Sequence, residues 1–158
     1  MIKEKLQKVK RMNELKKSEI EKFLKEVDVD FPTPLSQKQN LSFFAQKLIE
    51  KATICAKTEN GKIVAMLAGY TENLTNNISY ISILATSKQA RGKGYAKGLL
   101  KEFIDICRSK KIKAIHLYTT HTNKTAVNIY KKAGFVEWAV ENEPRKEDLH
   151  LIYYIEEN

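Results

Sequence analysis

Residues 81–96 read ISILATSKQARGKGYA, an apolar strand pattern that leads directly into a loop with two glycines and then into a helix. Backbone N–H groups at the start of a helix have no partners inside the helix, and together with the aligned peptide dipoles they favour an anion. Gly92 and Gly94 allow the loop to turn sharply and to approach a ligand closely, and Arg91 and Lys93 add positive charge. The segment therefore predicts a binding site for a pyrophosphate group.

Two common classes of phosphate-binding loop match this segment poorly. The P-loop of nucleotide triphosphatases reads GxxxxGK[ST], whereas Lys93 is followed by Gly94 and by no Ser or Thr placed for magnesium. The dinucleotide-binding loop reads GxGxxG early in its domain, and here Lys97 stands at the third glycine position, with Gly98 one residue later. The next predicted strand ends in YTT at residues 118–120, not in an acid for a ribose. Both matches are weak.

A second informative segment follows the loop after one predicted helix and one predicted strand. Residues 123–135 read NKTAVNIYKKAGF, and residues 89–94 read QARGKG. The two segments resemble the NxxAxxxYxKxGF signature and the [QR]xxGx[GA] pyrophosphate loop of the GNAT superfamily of acyl-CoA-dependent N-acetyltransferases. Residues 84–86 (LAT) stand where members commonly have Leu-Ala-Val. The resemblance covers roughly residues 8–155 in element order, with its specific motifs in residues 80–138.

The order of the predicted elements is mixed α/β. Apolar patterns predict strands at residues 5–12, 53–57, 63–70, 78–85, 114–119, 135–139 and 149–155. Helices are predicted from a capping box at Ser18 and Glu21, from about Asn40, from Gly94 to near Lys111, and over residues 125–132. The resemblance implies an α/β (α+β) fold in which about four helices flank a mixed central sheet of about six to seven strands with a splayed parallel pair. The length predicts one domain over residues 1–158.

The resemblance also implies which residues bind acetyl-CoA, the expected co-substrate. Backbone groups of Leu84 and Thr86 would hold the pantetheine arm, N–H groups from Arg91 to Ala96 would hold the pyrophosphate, and Asn123 would reach the cofactor from the other side. The full predicted set is Leu84, Ala85, Thr86, Gln89, Arg91, Gly92, Lys93, Gly94, Tyr95, Ala96, Asn123 and Tyr130. No metal is expected.

Two catalytic roles follow from the same resemblance. Tyr130 stands at the general-acid position, and a phenol with an ordinary pKa near ~10 is protonated at neutral pH and can donate to the leaving thiolate. The backbone amide of Leu84 is the expected donor to the oxyanion.

The general base is left open by the sequence. Histone-type members carry a glutamate where this chain has Tyr80, and strand alternation would place Tyr80, Ser82 and Leu84 on one face. Glu72 and His121 are further candidates for the base or for contact with the acceptor, and His121 has a suitable ordinary pKa near ~6.5. Some members remove the proton through ordered water instead, and His116 is interpreted as a packed residue of its strand.

The resemblance implies that the acceptor is a primary amine, and the sequence leaves its identity open. Residues 28–40 and 71–77, around the expected acceptor site, contain no acidic cluster that would select a polycation. The net charge of +9 favours a neutral or anionic acceptor, such as an amino sugar on a nucleotide, or a peptide. Tyr118 and Trp138 are interpreted as lining a pocket or as part of the sheet core.

Composition limits the class of protein. The chain has 158 residues, with 28 Lys and Arg against 19 Asp and Glu, and no apolar run long enough to span a membrane. The N-terminus lacks the apolar stretch of a signal peptide, so a cytoplasmic location is expected. Cys55 and Cys107 are far apart in sequence and are expected to be free thiols, with Cys107 buried.

Two other functions remain open beside that of an acetyltransferase. Residues 88–113 carry nine basic and two acidic residues, as in a nucleic-acid-binding module, but no aromatic stacking platform accompanies them, so no nucleic acid is expected. A non-catalytic acyl-CoA-binding protein is the third interpretation, because the strand carboxylate is missing. No membrane partner is expected. Dimers are common in the superfamily, and the late strands at residues 135–155 could pair across a homodimer.

Overall fold

The centre of the fold is one mixed β-sheet, in a computed structural model that describes residues 15–156 of the chain. Its strands are β1 (Thr53–Glu59), β2 (Lys62–Tyr70), β3 (Ile78–Thr86), β4 (Ala114–Thr119), β5 (Val136–Glu137) and β6 (Leu149–Tyr154). They lie in the order β1-β2-β3-β4-β6-β5, with β3 and β4 parallel and all other neighbours antiparallel. The predicted mixed sheet is confirmed, whereas the strand predicted at residues 5–12 lies outside the described residues.

Helices cover both faces of the sheet. Within the described residues they are α1 (Lys17–Val27), α2 (Leu35–Lys38), α3 (Leu41–Lys51), α4 (Tyr95–Ser109) and α5 (Lys124–Ala133). The helices α1 and α3 pack on one face around Met66 and Ile83, and α4 and α5 pack on the other around Leu67 and Ile115. The strand β2 lies between these two cores and is buried from residue 63 to residue 69, as its nearly continuous apolar run predicts.

Three local predictions are changed by the structure. The helix α1 begins at Lys17, with Lys16 at the N-cap and no side-chain cap, so the capping box at Ser18 is wrong. Amides of residues 19 and 20 already donate to the Lys16 carbonyl, which starts the helix before Ser18. The strand predicted at residues 135–139 is reduced to β5, because only Val136 and Glu137 pair with β6. The chain then leaves the sheet edge in a loop over residues 138–148.

Cys55 and Cys107 are both buried and form no disulfide, and the burial of Cys107 is as predicted. Burial raises the pKa of Cys107 to about 11.

A bulge in β3 changes which side chains share a face of the sheet. Ala68 pairs with Ile83 and Gly69 pairs with Ile81, so Ser82 is an extra residue without a partner of its own on β2. The bulge shifts the alternation, so Leu84 packs with the core beneath α4 and α5. Tyr80 contacts the ring of His116 on the other face. The prediction that Tyr80, Ser82 and Leu84 share one face is therefore wrong.

Candidate functional site

The parallel strands β3 and β4 pair over only three residues each. Residues 78–80 of β3 pair with residues 114–116 of β4, and the last pair is Tyr80 with His116. Beyond this pair β3 continues to Thr86 and β4 to Thr119 without further pairing between them. A gap therefore opens in the middle of the sheet, as the predicted splayed pair requires.

Backbone groups of β3 point into this gap. The amide of Ser87 donates to the carbonyl of Val64 on the β2 side at 2.7 Å. Successive residues of an antiparallel strand alternate between facing their partner and facing away, and the register runs unbroken from this bond to Leu84. The N–H and C=O groups of Leu84 and Thr86 therefore face away from β2. The Arg91 Nε donates to the Thr86 carbonyl at 3.3 Å, which agrees with this direction.

The gap ends at the N-terminus of α4, where the predicted glycine loop lies. Gly92 and Gly94 have φ angles of 83° and 79°, in the left-handed region that favours glycine. Gly94 is the N-cap and provides no side-chain acceptor, so the first N–H groups of the helix, those of Tyr95, Ala96 and Lys97, are uncapped. An anion placed here would satisfy these donors and interact favourably with the helix dipole.

A cavity of about 550 Å³ joins the gap and the loop. It brings together ten of the twelve predicted cofactor-binding residues and leaves out Gln89 and Lys93. The Gln89 amide instead donates to Glu26 of α1 at 3.1 Å. Lining residues outside the predicted set are Val27, Asp30, Phe31, Ala90, Lys97, Thr125, Ala126 and Ile129.

The two cations of the loop are paired with acids from distant parts of the chain. The Arg91 guanidinium lies 3.2 Å from the Asp30 carboxylate. The Lys93 ammonium and the Tyr95 hydroxyl both donate to one oxygen of Glu59, at 2.8 and 2.7 Å. These two hydrogen bonds lower the pKa of Glu59. The acids therefore hold the loop in place, and no motif in the sequence identifies them.

The helix α5 places the predicted general acid beside the cavity. Tyr130 is 5% exposed, lines the cavity and packs its ring 5.5 Å from that of Phe135. Burial raises the pKa of Tyr130, so its hydroxyl remains protonated at neutral pH. Asn123 is the N-cap of α5, where its side chain accepts from the amide of Ala126 at 3.4 Å.

A second cavity, of about 890 Å³, shares no lining residue with the first. Tyr80 and His116 line it at the point where the gap opens, together with Tyr70 and Trp138. The Tyr70 and Tyr80 rings are stacked with centroids 6.4 Å apart, and the buried Tyr70 hydroxyl has no hydrogen-bond partner among residues 15–156. This cavity is therefore largely aromatic where it meets the gap.

The three weak candidates for the base lie in different surroundings. Tyr80 lines the second cavity, and burial raises the pKa of its hydroxyl. Glu72 lies on the rim of that cavity and forms an ion pair with Lys110 at 2.5 Å. His121 is exposed in the turn after β4 and lines neither cavity. The structure brings only Tyr80 to the opening of the gap.

Sequence reasoning missed a chain of polar side chains behind the second cavity. Nδ1 of His116 lies 2.9 Å from Nε2 of His150, and Nδ1 of His150 lies 2.7 Å from a carboxylate oxygen of Glu143. The Tyr118 hydroxyl donates to the other oxygen of Glu143. These side chains belong to β4, β6 and the loop after β5, so they are separated in sequence. The alternation of side chains along β4 indicates only that His116 and Tyr118 share a face of the sheet.

Comparison with protein families agrees with this geometry. Residues 20–135 match the model of the Acetyltransferase (GNAT) family. The chain belongs to this family. It is therefore an acyltransferase, and the resemblance described from the two sequence motifs is confirmed.

Individual relatives in the GNAT family are distant. A Bacillus subtilis (strain 168) protein named "Putative phosphinothricin acetyltransferase YwnH" is 24% identical over 110 residues, which are 68% of this chain and 67% of that protein. The ribosomal-protein-S18-alanine N-acetyltransferase from Escherichia coli is 19% identical, with a TM-score of 0.64 over 80% of this chain and 81% of its own. Aminoglycoside 6'-acetyltransferase type Ii is 12% identical, with a TM-score of 0.72 over 90% of this chain and 91% of its own. The two solved structures show that the fold is shared.

Within residues 15–156, no three His, Cys, Asp or Glu side chains are grouped so that they could hold a metal ion. No helix in that part of the chain is both long and apolar enough to span a membrane.

Proposed function

We propose that this chain is an N-acetyltransferase that moves the acetyl group of acetyl-CoA to a primary amine of a small molecule, such as an amino sugar, or of a peptide. The amine attacks the thioester directly while both substrates are bound. The observation that carries the proposal is the gap between β3 and β4, which ends at the uncapped N-terminus of α4. Such a gap accommodates an extended arm with an anionic group at one end.

The residues around the first cavity match the parts of acetyl-CoA. The N–H groups from Arg91 to Ala96 would hold the pyrophosphate. The backbone groups of Leu84 and Thr86, which face away from β2, would pair with the pantetheine arm as an added strand does. Asn123 would contact the cofactor from the α5 side. Acetyl-CoA itself supplies an activated thioester, so this chemistry needs no metal.

Two groups of the chain would assist the transfer. The Leu84 amide would donate to the oxygen that becomes negatively charged when the amine adds to the carbonyl. Tyr130 would donate its proton to the departing thiolate, and its raised pKa keeps the hydroxyl protonated until then. Holding the two substrates together contributes the largest share, because proximity alone is worth about 7–11 kcal/mol.

The choice of acceptors to test comes from the net charge and from the names of the relatives. The charge of +9 favours neutral or anionic amines. The relatives are named for phosphinothricin, an alanine of a ribosomal protein and aminoglycosides. We therefore include an anionic amino acid, a peptide and an amino sugar in the test.

We also propose one cytoplasmic domain over residues 1–158, without a nucleic-acid or membrane partner, and leave a homodimer to measurement.

Titration calorimetry of the whole chain with acetyl-CoA tests the proposal, followed by thiol release with three amines. These are L-phosphinothricin, an alanine-initiated tripeptide and kanamycin, which is an aminoglycoside and, as a polycation, the amine that the net charge favours least. We expect saturable binding of acetyl-CoA and release of free coenzyme A with at least one amine. Well-folded protein that takes up no acetyl-CoA would overturn the proposal. Binding without thiol release from any amine would favour the acyl-CoA-binding alternative.

A further inference from the structure

The hydrogen bonds behind the second cavity determine where the protons of two histidines lie. Bonds from Tyr118 and His150 lower the pKa of Glu143, so its carboxylate is ionised and can only accept. Nδ1 of His150 therefore carries a proton and donates it to Glu143. In the tautomer of His150 that has its proton on Nδ1, Nε2 has a lone pair, which accepts from a proton on Nδ1 of His116.

This arrangement leaves the lone pair of His116 on Nε2. That nitrogen has no hydrogen-bond partner among residues 15–156, and the ring lines the second cavity. Burial lowers the pKa of His116 to about 4, so the imidazole is neutral and the lone pair is present at pH 7. His116 also belongs to the last pair of the parallel ladder, so its ring lies where the gap opens.

We propose that Nε2 of His116 accepts the proton that the acceptor amine loses. His150 and Glu143 are positioning residues, since their hydrogen bonds hold the lone pair of His116 toward the second cavity. This inference rests on the proposed function, because it names the base of that reaction. It also places the acceptor amine in the second cavity, apart from the cavity proposed for acetyl-CoA.

The proton transfer balances without any further reactant. The N–H bond of the ammonium breaks, its electron pair stays on the amine nitrogen, and the proton binds Nε2 of His116. Glu143 keeps its negative charge and, through its hydrogen bond with His150, stabilises the positive charge that forms on His116. The positive charge of the amine is thereby transferred to the His116 ring, which lines the second cavity and can release the proton to water there.

The groups around His116 are compatible with this role. Tyr80 from β3, Tyr118 from β4 and Trp138 from the loop contact its ring. In that loop the Arg145 guanidinium lies over the Tyr118 ring. Arg145 forms an ion pair with Asp148. Lys47, Glu50 and Lys51 of α3 and Glu72 after β2 line the same cavity, and Glu143 is the acid that is hydrogen-bonded to His150.

Nitrogen-15 NMR of the labelled full-length protein at pH 7 tests the proton positions without any acceptor. We expect each histidine to carry its proton on Nδ1, with the lone pair on Nε2. Glu143→Gln should change this pattern, because an amide can donate as well as accept. Glu141→Gln, at an exposed glutamate of the same loop, is the matched control and should leave the pattern unchanged. A proton on Nε2 of His116 in the wild-type protein would overturn the inference.

Kinetics with acetyl-CoA and the fastest amine of the three-member panel test the role in catalysis. We expect His116→Gln to lower kcat/KM at pH 7 by about 100-fold or more while the acetyl-CoA Kd stays unchanged. The defect should shrink about tenfold per pH unit toward the pKa of the amine, where the amine no longer needs a base. His116→Ala with added imidazole should recover part of the rate. A defect that is the same at every pH would show that His116 has only a structural role.

The two proposals fail in distinguishable ways. Wild-type protein that neither binds acetyl-CoA nor acetylates any of the three amines contradicts the proposed function, and the NMR result still decides the proton positions. An active wild-type protein whose His116→Gln variant keeps its rate and pH profile contradicts only the inference about His116.

Discussion

Replacement of Gly94 by alanine tests the loop before α4 without removing a side chain. Gly94 has a φ of 79°, and a Cβ built on it meets no heavy atom within 4 Å. The cost of Gly94→Ala is therefore conformational and not steric. An L-residue in the left-handed region costs about 1–2 kcal/mol.

This energy must be lost from folding, from binding or from both. If the substituted alanine keeps the left-handed conformation, the free energy of unfolding falls by about 1–2 kcal/mol. If the loop relaxes, the uncapped N–H groups of α4 move, and the same energy corresponds to about 5–30-fold in the acetyl-CoA Kd. Urea denaturation and titration calorimetry on the same preparation measure the two contributions.

Gly98 provides the matched control for this prediction. It lies inside α4, has an ordinary helical φ, and a Cβ there also meets nothing within 4 Å. Gly98→Ala should therefore stabilise the protein by about 0.5–1 kcal/mol and leave acetyl-CoA binding unchanged. The reasoning is refuted if Gly94→Ala is as stable as wild type and binds acetyl-CoA equally well, or if both variants shift stability in the same direction.

Three other predictions concern the acid Tyr130, the bulge beside Gly69 and the half-buried histidine His116. Tyr130→Phe should lower kcat by about 100-fold or more while calorimetry gives an unchanged acetyl-CoA Kd; an unaltered rate would remove its acid role. Gly69→Ala should lower the free energy of unfolding by about 1–3 kcal/mol in urea, because the new Cβ would lie 2.4 Å from the Phe103 ring, and a neutral effect would contradict this close approach. His116 has a pKa of about 4 in the folded protein and about 6.5 when unfolded, so the unfolded state binds more protons between these values. The wild-type urea midpoint should therefore fall as pH drops from about 6.5 to about 4, more steeply than in His116→Gln, and equal slopes would refute this.

The parts of the site that depend on local backbone were predictable from the sequence. Strand, glycine loop and helix follow one another within residues 81–96, and the positive φ angles at Gly92 and Gly94 fall where the loop predicts them. The resemblance of residues 123–135 to the family signature singled out Tyr130, and the structure has it lining the same cavity as the loop.

The parts that depend on contacts between distant residues were not predictable. The hydrogen bond between Lys93 and Glu59 joins residues that are 34 positions apart in sequence, and no residue type near either of them indicates the pairing. His116 and His150 are also 34 positions apart. The bulge at Ser82 did leave a signal, since Gly69 on the paired strand interrupts an apolar run, and a glycine there indicates a bulge or a close approach.

The ion pairs of Arg91 and Lys93 affect how binding should respond to salt. Both cations already have carboxylate partners, Asp30 and Glu59, so a diphosphate that engages them must displace these acids into water. Added electrolyte weakens the internal pairs and the contacts with the incoming anion together, and the two effects partly cancel. The affinity for the coenzyme should therefore depend less on ionic strength than it would if both cations were unpaired. Uncharged main-chain N–H donors should contribute most of the binding free energy.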